Sequence, residues 1–113
     1  MLFRSYMAAA FEIREYTVEG RSPFAEWFDD LDAVTADRVD RYIRRLETGN
    51  FGAAKVLGEG VSELRLDFGP GYRVYFGRDG KTLIILLGGG SKRRQDADIA
   101  AAIARWKHYK QKN

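Results

Sequence analysis

An α+β domain is what this sequence predicts, and three observations carry that reading. Val61 to Arg94 reads as three successive β-strands, broken by turns at Gly69-Pro70-Gly71 and Asp79-Gly80. Two amphipathic helical patterns precede that block, and a third follows it. The chain's 113 residues suffice for one hydrophobic core, and they contain neither an internal repeat nor a linker. One domain over residues 1–113 is therefore expected.

Residues 1–10 carry one Arg among a few apolar residues, too weak a pattern for a signal peptide. They are expected to be poorly ordered or an upstream extension, with Met7 an alternative start. Phe11 to Val18 alternates, with Phe11, Ile13 and Glu15 on one side, as in a strand with one buried face. Ser22-Pro23 has the form of an N-cap followed by Pro at the first helical position, where the ring removes no helical hydrogen bond. Phe24, Trp27, Phe28 and Leu31 then recur at helical spacing.

Thr35 is the expected cap of a second helix running to about Thr48, with Val39, Tyr42, Ile43 and Leu46 as its apolar stripe. The short link between the two helices predicts an antiparallel hairpin. Arg41, Arg44 and Arg45 are expected on its solvated face, supported by the i,i+4 pairs Asp37–Arg41 and Asp40–Arg44. Residues 50–60 are Gly-rich and irregular, with Lys55-Val56-Leu57 a short edge strand. Leu64, Leu66 and Phe68 face one way in the next strand, while Glu63, Arg65 and Asp67 face the other. In the strand after it, Tyr72, Val74 and Phe76 oppose Arg73 and Tyr75. Leu83 to Leu87 is apolar on both faces, which marks a central strand. Gly88–Gly90 is expected to end it as a flexible hinge. Asp96 then caps a last helix, Ala97 to about Tyr109, with Ile99, Ala102, Ile103 and Trp106 facing the core.

Composition narrows the chemistry. There is no cysteine, so neither a disulfide framework nor a thiolate metal site can form. That absence fits a cytoplasmic protein. The longest apolar run, Leu83 to Leu87, falls far short of the roughly 20 residues that span a bilayer. Charge is divided along the chain: residues 1–50 hold 7 Lys+Arg against 10 Asp+Glu, and residues 51–113 hold 12 against 6. The halves are thus −3 and +6. A basic half on a small domain suits a polyanionic partner, most simply nucleic acid, although any chain of this pI has some basic face.

A two-residue Asp79-Gly80 loop of type I′ sets a register in which Arg78 pairs with Lys81, Phe76 with Leu83, Val74 with Ile85 and Tyr72 with Leu87. The end of the last strand then lies beside the start of the middle one. Ser91-Lys92-Arg93-Arg94 falls close to Tyr72 and Arg73, and Arg65, Arg73, Tyr75, Lys92 and Arg93 converge on one sheet face. Arg offers phosphate a planar fork of donors, and Tyr can stack on a base. The alternative is ordinary strand charge, with Arg65 paired to Glu63 or Asp67 and Arg73 to an acid of the first helix.

Other chemistries fit less well. Gly88-Gly89-Gly90-Ser91-Lys92 lacks the GxxxxGK[ST] spacing of a phosphate loop. His108 has no partner His or Cys and is expected near a frayed C-terminus, so no metal is expected. Asp96 and Asp98 are explained by a helix N-terminus. Catalysis without metal or histidine leaves Arg, Lys and Tyr. RNA cleavage permits this, because the substrate's own 2′-hydroxyl is the nucleophile and the protein need only position it and stabilise charge.

The run ELRLDFGPGYRVYF, a strongly apolar strand, and then GGSKRRQDADIAAA resemble toxins of the RelE/ParE superfamily. The likeness is greatest to the addiction module killer protein branch, whose HigB-like members pair with a helix-turn-helix antitoxin. It covers about residues 10–108 and implies a RelE-like fold: an N-terminal strand, a helical hairpin, an antiparallel sheet of three to four further strands, and a C-terminal helix. It also implies a ribosome-dependent mRNA endonuclease, a toxin–antitoxin complex that is oligomeric, and no cofactor. Under it Arg65, Arg73 and Arg93 are the catalytic cations, with Tyr75 a substitute for a missing tyrosine. Lys92, Arg94, Tyr72 and the edge-strand Lys55 are the nucleic-acid contacts. Two positions depart from RelE itself. Glu63 stands where RelE has a second strand lysine, and about Ile99 stands where it has a functional tyrosine. These departures keep two other outcomes open: a ParE-like inhibition of DNA gyrase without nuclease activity, or an RNA-binding or inactive toxin homologue.

Overall fold

The computed structural model describes residues 10–112. The expectation for residues 1–10 therefore lies almost wholly outside the described residues. In chain order the elements are β1 (Glu12–Glu15), α1 (Pro23–Asp29), α2 (Ala33–Glu47), β2 (Ala54–Gly58), β3 (Val61–Leu66), β4 (Tyr72–Asp79), β5 (Leu83–Ser91) and α3 (Gln95–Lys112). A 3-10 turn, Lys92–Arg94, joins β5 to α3. The sheet order is β1-β5-β4-β3-β2.

Strands β2 to β5 are antiparallel neighbours, as the turns between them predict, but β1 joins β5 in parallel, so the sheet is mixed. The long connection through α1 and α2 returns the chain to the sheet in a way no hairpin could. β1 is also shorter than predicted. After Glu15 only the Tyr16 amide continues the pairing, to the Leu86 carbonyl at 2.9 Å, and Val18 then bridges to Arg21 to close a turn.

Alternation in the strands separates two cores. Leu64, Leu66, Val74, Phe76, Ile84 and Leu86 face α1 and α2, where Phe24, Val39, Ile43 and Leu46 meet them. Val61, Tyr75, Ile85 and Leu87 face α3 and pack on Ala102 and Trp106. Because β5 is apolar on both faces, hydrophobic pattern alone cannot choose its register. The structure departs from the predicted pairing for this reason. Asp79 pairs with Leu83 across a three-residue loop, Gly80-Lys81-Thr82, in which Gly80 takes a positive φ of 69°. Phe76 then pairs with Leu86, and a bulge between Tyr75 and Phe76 advances the pairing so that Tyr72 meets Ser91.

The glycine run is strand, not hinge. β5 continues to Ser91 because neighbouring side chains lie directly on its backbone: a Cβ at Gly89 would strike Trp27, and one at Gly90 would strike Asp98. Helix starts shift as well. Ser22 caps α1 as predicted, accepting from the Ala25 amide at 3.0 Å with Pro23 next to it. α2 begins three residues early, because Asp32 rather than Thr35 is the cap. Its carboxylate accepts from the Thr35 amide at 3.1 Å and from the Thr35 hydroxyl at 2.6 Å, and those bonds hold its pKa below the ordinary value. Asp96 does not cap α3. That helix starts at Gln95, directly from the 3-10 turn, with Asp96 and Asp98 in its first turn.

The arginines of α2 are solvated, as expected: Arg41 meets Asp37 at 2.7 Å, and Arg44 meets Asp40 and Glu47. His108 is not at a frayed end but inside α3, with Nδ1 2.6 Å from the Tyr16 hydroxyl. At the far end of β4, Tyr109 donates to Asp79 at 2.7 Å. Burial, then that hydrogen bond, push the phenol up to about 12.

Trp106 locks α3 to the sheet. It is 7% exposed, and a Cβ at either Gly60 or Gly77 would collide with its ring. Gly77→Ala is expected to lower stability by about 1–3 kcal/mol through overpacking, read from urea unfolding midpoints. In a Trp106→Ala background the same change is expected to cost little, because the ring it would strike has gone. Fully additive losses would show that this contact is not the cause.

Candidate nucleic-acid interface

The α3-facing side of β3 and β4 carries its polar residues in two rows. Arg65 and Arg73 are direct cross-strand partners, and Glu63 and Tyr75 are the next pair along. Lys55 on edge strand β2 pairs with Glu63 and so extends that second row. Gly90 of β5 is the partner of Arg73. Ser91 pairs with Tyr72, one position beyond, so the Lys92–Arg94 turn starts at the rim of the same patch. Of the predicted convergence, Arg65, Arg73 and Lys92 meet, although a different register brings them together.

Glu63 organises the patch. Its side chain is 0% exposed, accepts from Arg65 Nε at 2.7 Å and from Gln95 Nε2 at 3.0 Å, and lies 3.3 Å from Arg73 Nε. The Arg73 Nε contact is an ion pair by distance but is not aligned as a hydrogen bond. Arg73 instead donates through Nη1 to the Gly71 carbonyl at 2.8 Å. Of the two pairings offered as ordinary strand charge, Arg65 with Glu63 is present. Arg73 pairs with that same carboxylate and not with an acid of α1. Arg65 keeps 43% of its side chain exposed and Arg73 11%, so both guanidiniums are anchored from below.

Above that anchor lies a groove of about 530 Å³, lined by Arg65, Tyr72, Arg73, Lys92 and the turn between β3 and β4. A second concavity of about 420 Å³ continues from Lys92 along Arg93, Arg94 and Gln95 to Asp96 and Ala97. Lys92, Arg93 and Arg94 are exposed, and among the described residues none of them has an acid within salt-bridge distance. Tyr72 reaches the groove edge while its ring packs on Phe68 and Trp27. Lys55 is exposed but lies outside both concavities, one strand further away.

Tyr75 is not brought to the groove. It is 1% exposed, its hydroxyl has no hydrogen-bond partner among the described residues, and burial beside Glu63 and Asp98 pushes its pKa up. At neutral pH it is a neutral phenol held below the surface. Sequence reasoning had placed Glu63 as a departure and as one partner of Arg65, but missed its bond to Gln95, which comes from an element 32 residues away. Alternation does place Glu63 on the face of Arg65, and that was the available signal.

The groove holds no histidine, and its one carboxylate is Asp67. Among the described residues no cluster of acids and histidines could hold a metal. What the arrangement offers is donors and positive charge on a firm base. The other face differs. A cavity of about 330 Å³ between α1 and α2 has an apolar floor including Phe24, Phe28 and Ile43, with Glu15, Asp29 and Asp40 at its rim. Arg44, the cation there, already pairs with Asp40 and Glu47. A polyanion would be repelled from that side.

Fold and site together define a small α+β protein of RelE-like layout with a cationic groove over its sheet. Residues 26–107 match the model of the phage-derived protein Gp49-like family (DUF891). The chain is also 44% identical over 80 residues to an uncharacterized protein of Haemophilus influenzae Rd, an alignment that covers 70% of this chain and 81% of that one. The chain belongs to the Gp49-like family. The matched span contains every residue of the groove and leaves out β1, which lies at the opposite edge of the sheet.

Two measurements follow from the buried groups. Tyr75→Phe removes an unpaired buried hydroxyl, so it is expected to leave stability equal or slightly raised and RNA binding unchanged. A loss of binding beyond about tenfold would return Tyr75 to the site. Asp98 lies against Gly90, and burial raises its pKa, with Arg94 and Arg105 opposing. A carboxyl whose folded pKa is raised contributes stability at low pH that is lost as pH rises from its ordinary value through the raised, folded one. Asp98→Asn is therefore expected to stabilise at pH 7, the gain shrinking toward pH 4 in paired urea titrations.

Proposed function

We propose that this protein is the toxin of a type II toxin–antitoxin module, HigB-like within the RelE/ParE superfamily, and that it cleaves mRNA on the ribosome. The observation that carries the reading is the groove in which Arg65, Arg73 and Lys92 converge, continued by the exposed Arg93 and Arg94. Such a surface suits an RNA backbone, since guanidinium forks bind phosphate oxygens and add no base preference of their own.

The reaction asks little else of the protein. The 2′-hydroxyl of one nucleotide attacks the adjacent phosphorus, the P–O5′ bond breaks, and a 2′,3′-cyclic phosphate and a 5′-hydroxyl result. The proton lost from the 2′-oxygen passes to water, and one is returned to the leaving 5′-oxygen. Arg65, Arg73 and Arg93 stabilise the charge that grows on the phosphorane oxygens, and Lys92, Arg94 and Tyr72 hold the flanking strand. A cognate helix-turn-helix antitoxin neutralises the toxin in an oligomeric complex, and both act in the cytoplasm. Among the described residues no helix is long and apolar enough to cross a membrane, which is compatible with that placement.

One observation favours a second reading. The groove has no histidine to serve as a general base. A ParE-like inhibitor of DNA gyrase needs only the fold and the cationic surface.

Primer extension on mRNA after brief induction separates the two. Codon-linked cuts are expected with the native chain and none with Arg73→Ala. Intact mRNA together with DNA-damage signalling would assign the chain to the gyrase reading. In solution, RNA binding is expected to weaken steeply with salt, and Arg93→Ala to reduce the log–log slope by about 0.7–1, one phosphate contact.

A further inference from the structure

We infer that Glu63 is a positioning residue for the proposed phosphate-binding groove: one buried carboxylate that sets both guanidiniums and the basic turn in place. The inference rests on the nucleic-acid reading of that groove. Three segments that carry the cations each send one group to this carboxylate: Arg65 from β3, Arg73 from β4, and Gln95 from the residue directly after Lys92–Arg94. Glu63 touches no part of the groove itself, being 0% exposed. Its position on a strand acid would ordinarily weaken a phosphate site, because it cancels a positive charge. Here the geometry points the other way.

The contacts use Nε of each arginine, the nitrogen nearest the side-chain stem. The terminal nitrogens are left for ligand, apart from the one donated by Arg73 Nη1 to the Gly71 carbonyl. A guanidinium held at Nε has lost most of its rotamer freedom before any ligand arrives, so ordering it on binding costs less. Two like charges that face each other across a strand pair also repel. Arg65 and Arg73 are such a pair, and a carboxylate lying between their Nε atoms offsets that repulsion. Gln95 completes the set with a neutral donor, so the carboxylate is shared by three partners and the turn that bears Lys92, Arg93 and Arg94 is tied to the same point.

Two roles make opposite predictions. As a positioning group, Glu63 strengthens binding; as a plain counter-charge, it weakens binding. Glu63→Gln keeps the shape and removes the charge. In the full-length chain, titrated with a fluorescent single-stranded RNA across a salt series, Glu63→Gln is expected to weaken binding about tenfold. The log–log salt slope is expected to become shallower, because fewer phosphates are gripped. Tighter binding with a steeper slope would overturn the inference. So would a lowered melting temperature with affinity and slope unchanged, the mark of a merely structural residue.

A second measurement needs neither RNA nor a Glu63 variant. In 15N-labelled native protein the Nε–H of Arg65, which donates to Glu63, assigned with Arg65→Lys, is expected to exchange with water at least tenfold more slowly than that of Arg41. Exchange as fast as Arg41 would show that Glu63 does not hold it. If the native chain fails to bind RNA at low salt, the nucleic-acid reading falls. The exchange rate then still decides whether Glu63 fixes Arg65.

Discussion

A buried carboxylate with no access to water constrains this molecule more than any other single group. Taking an ionised carboxylate out of water costs several kcal/mol unless charge and hydrogen bonds meet it. Glu63 is met by two guanidiniums and an amide, and these come from β3, β4 and the start of α3. None of these partners can be withdrawn without leaving charge stranded, so the carboxylate specifies how the third helix enters as well as how two strands are paired. The same group that must be satisfied for folding thus decides where the cations stand.

The sheet works as a divider. Toward α1 and α2 it is apolar and continuous, and those helices present acids and paired arginines to solvent. Toward α3 it is apolar only in its lower part, around Trp106, Ile85 and Leu87, and polar where Arg65, Arg73 and Glu63 lie. The unequal charge of the two halves of the chain therefore becomes a difference between two faces. Polyanions meet an attractive groove on one face and an acidic rim on the other.

Close contact makes that groove firm. β5 runs through Gly88, Gly89 and Gly90 with Arg105, Trp27 and Asp98 set against its backbone, so helices from both sides approach the strand where side chains would have held them off. Arg105 also donates to the Leu87 carbonyl at 3.0 Å, near the bulge in the β4–β5 pairing. A run read as a hinge is in fact a packed floor, and the basic turn that follows it starts from a fixed point.

Local chemistry was legible in the sequence wherever one segment decided the outcome. The helix stripes at Phe24 to Leu31 and Val39 to Leu46, the Ser22-Pro23 start, the alternation in β3 and β4, and the edge strand at Lys55 all follow from residues close in the chain. So does the gathering of Arg65, Arg73 and Lys92, which needs only alternation and a hairpin. What depended on distant partners was not legible. The register of β5 was underdetermined because both of its faces are apolar, and the parallel pairing of β1 arises only once α1 and α2 carry the chain across. Whether Tyr75 is presented or covered is settled by α3 lying over it. The placement of Glu63 beneath its two arginines is of the same kind. Sequence alone determined which residues could share a face; tertiary packing decided which of them reach solvent, because burial depends on what lies above a residue and not on its neighbours along the chain.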